Sequence, residues 1–129
     1  MGITAFYASL LAFLFLWLSV RVVAARREAR VEIGVGESAD LLRRARVHAN
    51  FAEYVPIALI LMALAESGKA PLPVVHVIGV VLVAGRAVHA YGLSQRTLKL
   101  RVAGMMLTFA AIAIGALACL ASGALRILV

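Results

Sequence analysis

The stretch Arg43-Arg-Ala-Arg-Val-His-Ala-Asn-Phe-Ala-Glu-Tyr-Val-Pro56 gathers most of the polar chemistry in this chain. On a helix, positions 46, 50 and 53 are four and three residues apart, so Arg46, Asn50 and Glu53 share one face. Arg43 extends that strip by one turn, and His48 lies off it. Glu53 is its deepest member and is surrounded by apolar residues, where an ionised carboxylate needs a partner. Two readings follow. In the structural one, Arg46 or Arg86 simply neutralises Glu53. In the functional one, the strip grips a polar ligand with both ammonium and carboxylate groups, Glu53 taking the former and arginines the latter.

A second constellation is Arg86, His89, Tyr91 and Arg101. Arg86 and His89 are three apart and face the same way on a helix, and Arg101 opens the next apolar run at the same depth. A fixed guanidinium there stabilises a thiolate formed from a bound thiol. A free cysteine-type thiol has a pKa of about 8.5, and nearby positive charge lowers it. Arg101 is therefore the candidate catalytic residue, against a plain reading as an interface anchor. Cys119 is a lone cysteine inside an apolar run and is expected to be structural. No metal site is expected, because the three histidines share no ligand spacing with acids. His76 reads as a packed or helix-bonded histidine. Gly34-Val-Gly36 lacks the strand and lysine of a phosphate loop and reads as a flexible loop.

These residues must be held by membrane helices. Hydrophobic types make up 64% of the 129 residues and charged types only 15%, against roughly 45–50% and 25% in soluble domains. A soluble fold of this size has too little interior for so much apolar side chain, and the mean hydropathy of +1.03 points the same way. The first run, Ile3 to Val20, carries no charge and continues to Ala25. Met1 to Thr4 has no basic side chain, so an uncleaved span fits better than a secretory signal. One helix is expected from about Ala39 to Glu66, capped by Ser38 and disturbed at Pro56. Glu66 to Pro71 reads as a polar turn, and Leu72 to about Val88 as the third span, broken by His89-Ala-Tyr-Gly92. Val102 to Ala121 is the fourth, twenty residues without a charge. Such lengths match a hydrocarbon core of roughly 30 Å.

The net charge is +7, and eleven of the thirteen cations are arginine. They cluster at the ends of apolar runs, which fits membrane topology better than nucleic acid. Residues 21–46 hold seven arginines and four acids, and residues 86–101 hold four cations and no acid. Loops one and three are thus expected in the cytoplasm, with both termini and the middle turn opposite; Arg126 runs against this. The expected fold is all-α, one integral membrane four-helix bundle over residues 1–129. Small residues along the fourth span, from Gly104 to Ala118, permit close helix contact. So thin a bundle has little room for a buried site within one subunit, which suggests a site between subunits.

The pattern Arg43, Arg46, His48, Asn50, Glu53, Tyr54, Pro56 resembles the membrane-associated proteins in eicosanoid and glutathione metabolism, the MAPEG family. The likeness continues through Gly85-Arg86-Ala-Val-His89-Ala-Tyr-Gly92 and Arg101-Val-Ala-Gly104-Met-Met-Leu-Thr108, and is closest to the short bacterial members. It implies a homotrimer in the bacterial inner membrane that binds glutathione at subunit interfaces near the cytoplasmic face. On that resemblance Arg46, Asn50, Glu53 and Tyr54 line the thiol peptide and Arg26 reaches one of its carboxylates. Arg86 and His89 belong to the same pocket, and Arg101 activates the thiol. Val102 stands where the prostaglandin synthase branch has serine. His89 and Leu93 stand where the leukotriene synthase branch has tyrosines. Neither eicosanoid specificity is therefore implied. The expected activity is a glutathione-dependent transferase or peroxidase acting on small hydrophobic electrophiles or lipid hydroperoxides. The competing expectation is a non-catalytic scaffold or lipid-binding protein on the same fold.

Overall fold

The computed structural model describes residues 1–127, with side chains through Ala124; the side chain of Arg126 lies outside the described residues. Four helices follow one another: α1 (Gly2–Ala29), α2 (Ala39–Ser67), α3 (Leu72–Ser94) and α4 (Leu98–Ile127). No strand occurs among the described residues. Each helix is long and apolar enough to cross a membrane.

Local chemistry explains most of the boundaries. The Ser38 hydroxyl accepts the Leu41 N–H at 3.2 Å, and Asp40 sits in the first turn of α2, where a negative charge complements the helix dipole. After α1, Arg30 adopts a left-handed conformation, and a guanidinium nitrogen of Arg26 donates to the Gly34 carbonyl at 2.6 Å. That contact ties the first loop back onto the helix it leaves.

Two boundaries differ from the sequence expectation. The third helix does not break at His89–Gly92 but runs on to Ser94. Gly92 serves close packing instead: a Cβ there would lie 2.7 Å from the Arg101 amide nitrogen. The helix closes two residues later, with Arg96 left-handed at φ 57° and the Thr97 N–H donating to the Gly92 carbonyl at 2.8 Å. The fourth helix then starts at Leu98, ahead of its uncharged stretch.

Glu66 also differs. It closes α2 as expected, but instead of opening a polar turn it is turned onto the start of α1. Its Oε1 accepts the Ile3 N–H at 3.1 Å and its Oε2 the Thr4 N–H at 2.8 Å. These are helix-terminal donors with no partner inside their own helix. One carboxylate thereby pins the start of α1 to the end of α2. Toward the opposite end Arg21 of α1 donates to the Ser94 hydroxyl at the end of α3, at 3.0 Å. The helices therefore run alternately up and down.

Within the bundle α2 and α3 are central. α1 packs on both, α4 packs on both, and α1 and α4 do not meet among the described residues. Leu11, Phe51, Met62, Ile78, Leu82 and Ala111 are among the buried core residues. The interface between α3 and α4 is the most extensive, and a Cβ on Gly104 would come within 2.5 Å of the His89 amide nitrogen. Only a glycine lets the two backbones approach so closely. His76 receives a specific partner, the Tyr7 hydroxyl 3.1 Å from its Nδ1. The Cys119 thiol donates to the Leu61 carbonyl at 3.2 Å, a structural role.

Glu66→Ala leaves the Ile3 and Thr4 amides without their acceptor. It is expected to lower stability by about 1–2 kcal/mol, the usual scale of a lost helix cap, while Glu66→Gln retains part of it. Thermal unfolding in detergent, followed by circular dichroism, ranks the three proteins.

Candidate functional site

The polar site begins with a buried cation, about two turns before the end of α3. Arg86 is 1% exposed, although it sits in a membrane-spanning helix. Its Nη2 donates to Asn50 Oδ1 at 2.9 Å, its Nη1 lies 3.5 Å from the Asn50 carbonyl oxygen, and the Met105 sulfur is 3.9 Å away. Its Nε has no hydrogen-bond partner among the described residues. The sequence suggested Arg86 or Arg46 as the neutraliser of Glu53. The structure pairs Arg86 with Asn50 instead, and among the described residues Glu53 forms no ion pair.

Immediately above, a cavity of about 280 Å³ is lined by Arg46, Asn50, Glu53, His89 and Arg101, with Ala49 and Leu93. Five of the eight residues singled out in the sequence thus converge on one space. α2 supplies one wall from a single face, as its four-and-three spacing requires. α3 supplies His89, held where Gly104 lets α4 approach, and α4 supplies Arg101 from its first turn. Arg46, Glu53 and Arg101 are exposed while His89 is buried, so the cavity has a closed floor and an open side. One acid faced by two arginines, an imidazole and an amide is complementary to a molecule with one positive and several negative groups.

Three candidates lie elsewhere. Arg86 is beneath the cavity and acts on it through Asn50. Tyr54 is half-buried and packs edge-on against Phe109 of α4, ring centroids 5.6 Å apart. Arg26 sits in the last turn of α1, bonded to Gly34 of the first loop and lining a separate surface recess with Arg27 and Arg30. Since α1 does not touch α4, Arg26 lies on the far side of the bundle from Arg101. Arg43 also leaves the strip: it faces Asp40, 3.6 Å away, and lines another cavity. His48 is off the strip as expected, 3.0 Å from the Ser19 hydroxyl and stacked on Phe15. Sequence reasoning missed Leu93 and Ala49 as lining residues. Position 49 is three residues from Arg46 and could have been placed on the strip. Leu93 had no such signal, because it depends on α3 continuing past Gly92.

A four-helix membrane bundle with an open, arginine-rich polar cavity at one end is the class this arrangement defines. The MAPEG family model matches residues 4–121, and the chain belongs to that family. Among its relatives is the inner membrane protein YecN of Escherichia coli strain K12, 40% identical over 116 residues, covering 90% of this chain and 88% of the relative. The same protein from E. coli O6:H1 strain CFT073 matches equally.

Asn50→Leu strands the Arg86 charge in an apolar interior and is expected to cost roughly 1.5–3 kcal/mol. The double variant Asn50→Leu with Arg86→Met removes both halves, and replacing a buried polar pair by apolar residues is often nearly neutral. Unfolding measurements in detergent should therefore find the double variant more stable than Asn50→Leu alone.

Proposed function

We propose that this protein is a glutathione-dependent membrane transferase or peroxidase acting on small hydrophobic electrophiles or lipid hydroperoxides. The observation that carries this reading is the cavity in which Glu53 faces Arg46 and Arg101 across Asn50 and His89. Its donor set fits glutathione, which has one ammonium and two carboxylates. Glu53 receives the ammonium, Arg46 a carboxylate, and Asn50 offers amide hydrogen bonds already oriented by Arg86. Glutathione supplies the nucleophilic sulfur. Arg101 holds a permanent positive charge at the cavity edge, which favours the anionic form of a sulfur placed beside it; the released proton passes to water at the open side.

A homotrimer in the inner membrane, where the relative's name puts YecN, completes the proposal. About 280 Å³ is slightly less than the roughly 300–1,000 Å³ of typical small-molecule clefts. The missing wall and the remoteness of Arg26 within the subunit both favour a neighbouring copy closing the site and bringing its own Arg26. A hydrophobic substrate then enters from lipid along the apolar outer helices.

Purified protein with millimolar glutathione, assayed against a chlorinated aromatic and a lipid hydroperoxide, tests this directly. Arg101→Ala is expected to lose roughly 10²-fold in turnover while keeping much of the thermal stabilisation by glutathione. Glu53→Gln is expected to lose that stabilisation. A stable protein indifferent to glutathione, and inactive with both substrates, would establish the scaffold reading in its place.

A further inference from the structure

α2 presents a second face to a different cavity. It measures about 100 Å³ and lies between α1 near Arg21, the start of α2, and the end of α3 with the turn that follows it. Arg21, Arg43, Arg44 and Arg96 surround it, with Asp40 as the one acid in its lining. The floor is apolar: Leu18, Val47 and Leu93 are exposed by only 3%, 6% and 6%. Arg46, Glu53 and Arg101 take no part in it, and Leu93 is the wall it shares with the cavity described above.

Four guanidinium groups face one carboxylate here, a local excess of three positive charges. Asp40 is already committed to two of them, 2.7 Å from Arg44 Nε and 3.6 Å from Arg43 Nη2. Arg21 finds only neutral partners, the Ser94 hydroxyl at 3.0 Å and the face of Trp17 at 4.7 Å. The Arg96 guanidinium has no hydrogen bond or ion pair among the described residues. Like charges gathered over an apolar floor repel one another more strongly than they would in open water. An anion with several oxygens reverses the balance, because each guanidinium offers a planar fork of donors.

Size and depth narrow the anion. The recess is small, about 100 Å³, and its ring of planar guanidinium forks suits a compact anion with several oxygens, such as a phosphate group. Arg21 follows directly on the uncharged run of α1, beside the half-exposed Trp17. Aromatic and basic residues at such a boundary sit at the level of lipid headgroups. We propose that this cavity is an anion site that takes a phosphate group, carried by an anionic lipid headgroup or by a small soluble phosphate. Because the lining comes from α1, α2, α3 and the turn after α3, the bound phosphate clamps these segments together. The proposal stands independently of the glutathione reading.

The test compares wild type with Arg21→Gln/Arg96→Gln, neither position belonging to the glutathione cavity. Thermal unfolding is measured in nanodiscs of phosphatidylcholine alone or mixed with phosphatidylglycerol. A parallel series uses delipidated protein in detergent, with inorganic phosphate against chloride at equal ionic strength. Stabilisation of wild type by phosphatidylglycerol identifies a lipid headgroup, and stabilisation by inorganic phosphate a soluble ligand. In either case the double variant is expected to bind roughly tenfold more weakly or worse and to lose the gain. Should the double variant fold poorly, Arg96→Gln alone serves, since that side chain holds nothing else in place. Equal responses of wild type and variant in both series would overturn the proposal.

Discussion

The buried hydrogen bond from Arg86 to Asn50 is the interaction on which the polar architecture depends. A guanidinium within a membrane-spanning helix is tolerable only where the protein itself replaces water as its acceptor. Asn50 does so with its side-chain oxygen and, more distantly, its backbone carbonyl. The result locks the rotation and depth of α2 against α3. Since Arg46 and Glu53 lie on the same face of α2 as Asn50, their direction is set at the same time. α3 in turn is held to α4 by the close backbone approach at Gly92 and Gly104, which brings His89 and Arg101 to the opposite wall.

This chain of constraints leaves Glu53 free. Had Arg86 paired with it, the one acid of the cavity would be consumed in a structural contact. The Asn50 amide accepts from the buried cation instead, and the carboxylate remains exposed at the cavity edge without an ion pair among the described residues. A neutral acceptor for the buried charge and an unpaired acid above it are therefore two sides of one arrangement. The same helix turn sends Arg43 and Arg44 the other way, so α2 divides the basic end of the bundle into two cavities of different chemistry: one with a free acid and an imidazole, one almost purely cationic.

The bundle is narrow, and that governs how a site can be built. α1 and α4 do not meet, and each leaves large apolar side chains exposed, among them Phe13, Trp17, Leu117 and Leu120. Lipid or neighbouring copies must cover these faces. A polar cavity at the edge of such a bundle opens sideways instead of being enclosed, which is why this MAPEG protein's chain supplies a floor and two walls only.

Much of this was legible in the residues. The hydropathy pattern marked four spans, the Ser38 cap and the Ala39 start of α2 were readable from local chemistry, and the four-and-three spacing placed Arg46, Asn50 and Glu53 on one face. These follow because helix period and end-capping are set by neighbours a few residues apart. What neighbours could not decide was which partner each polar group meets across the bundle. Gly92 reads locally as a break, yet its lack of a side chain serves contact with α4. Glu66 reads locally as the end of α2 and the start of a polar turn, yet it caps a helix 62 residues away. Arg86 had an acid and an amide to choose from, and only the rotation of α2 against α3 selected Asn50. The convergence of Arg21 and Arg96 likewise exists only once the end of α3 packs beside α1. Contacts between distant segments depend on helix rotation and depth, and packing of the whole bundle sets both.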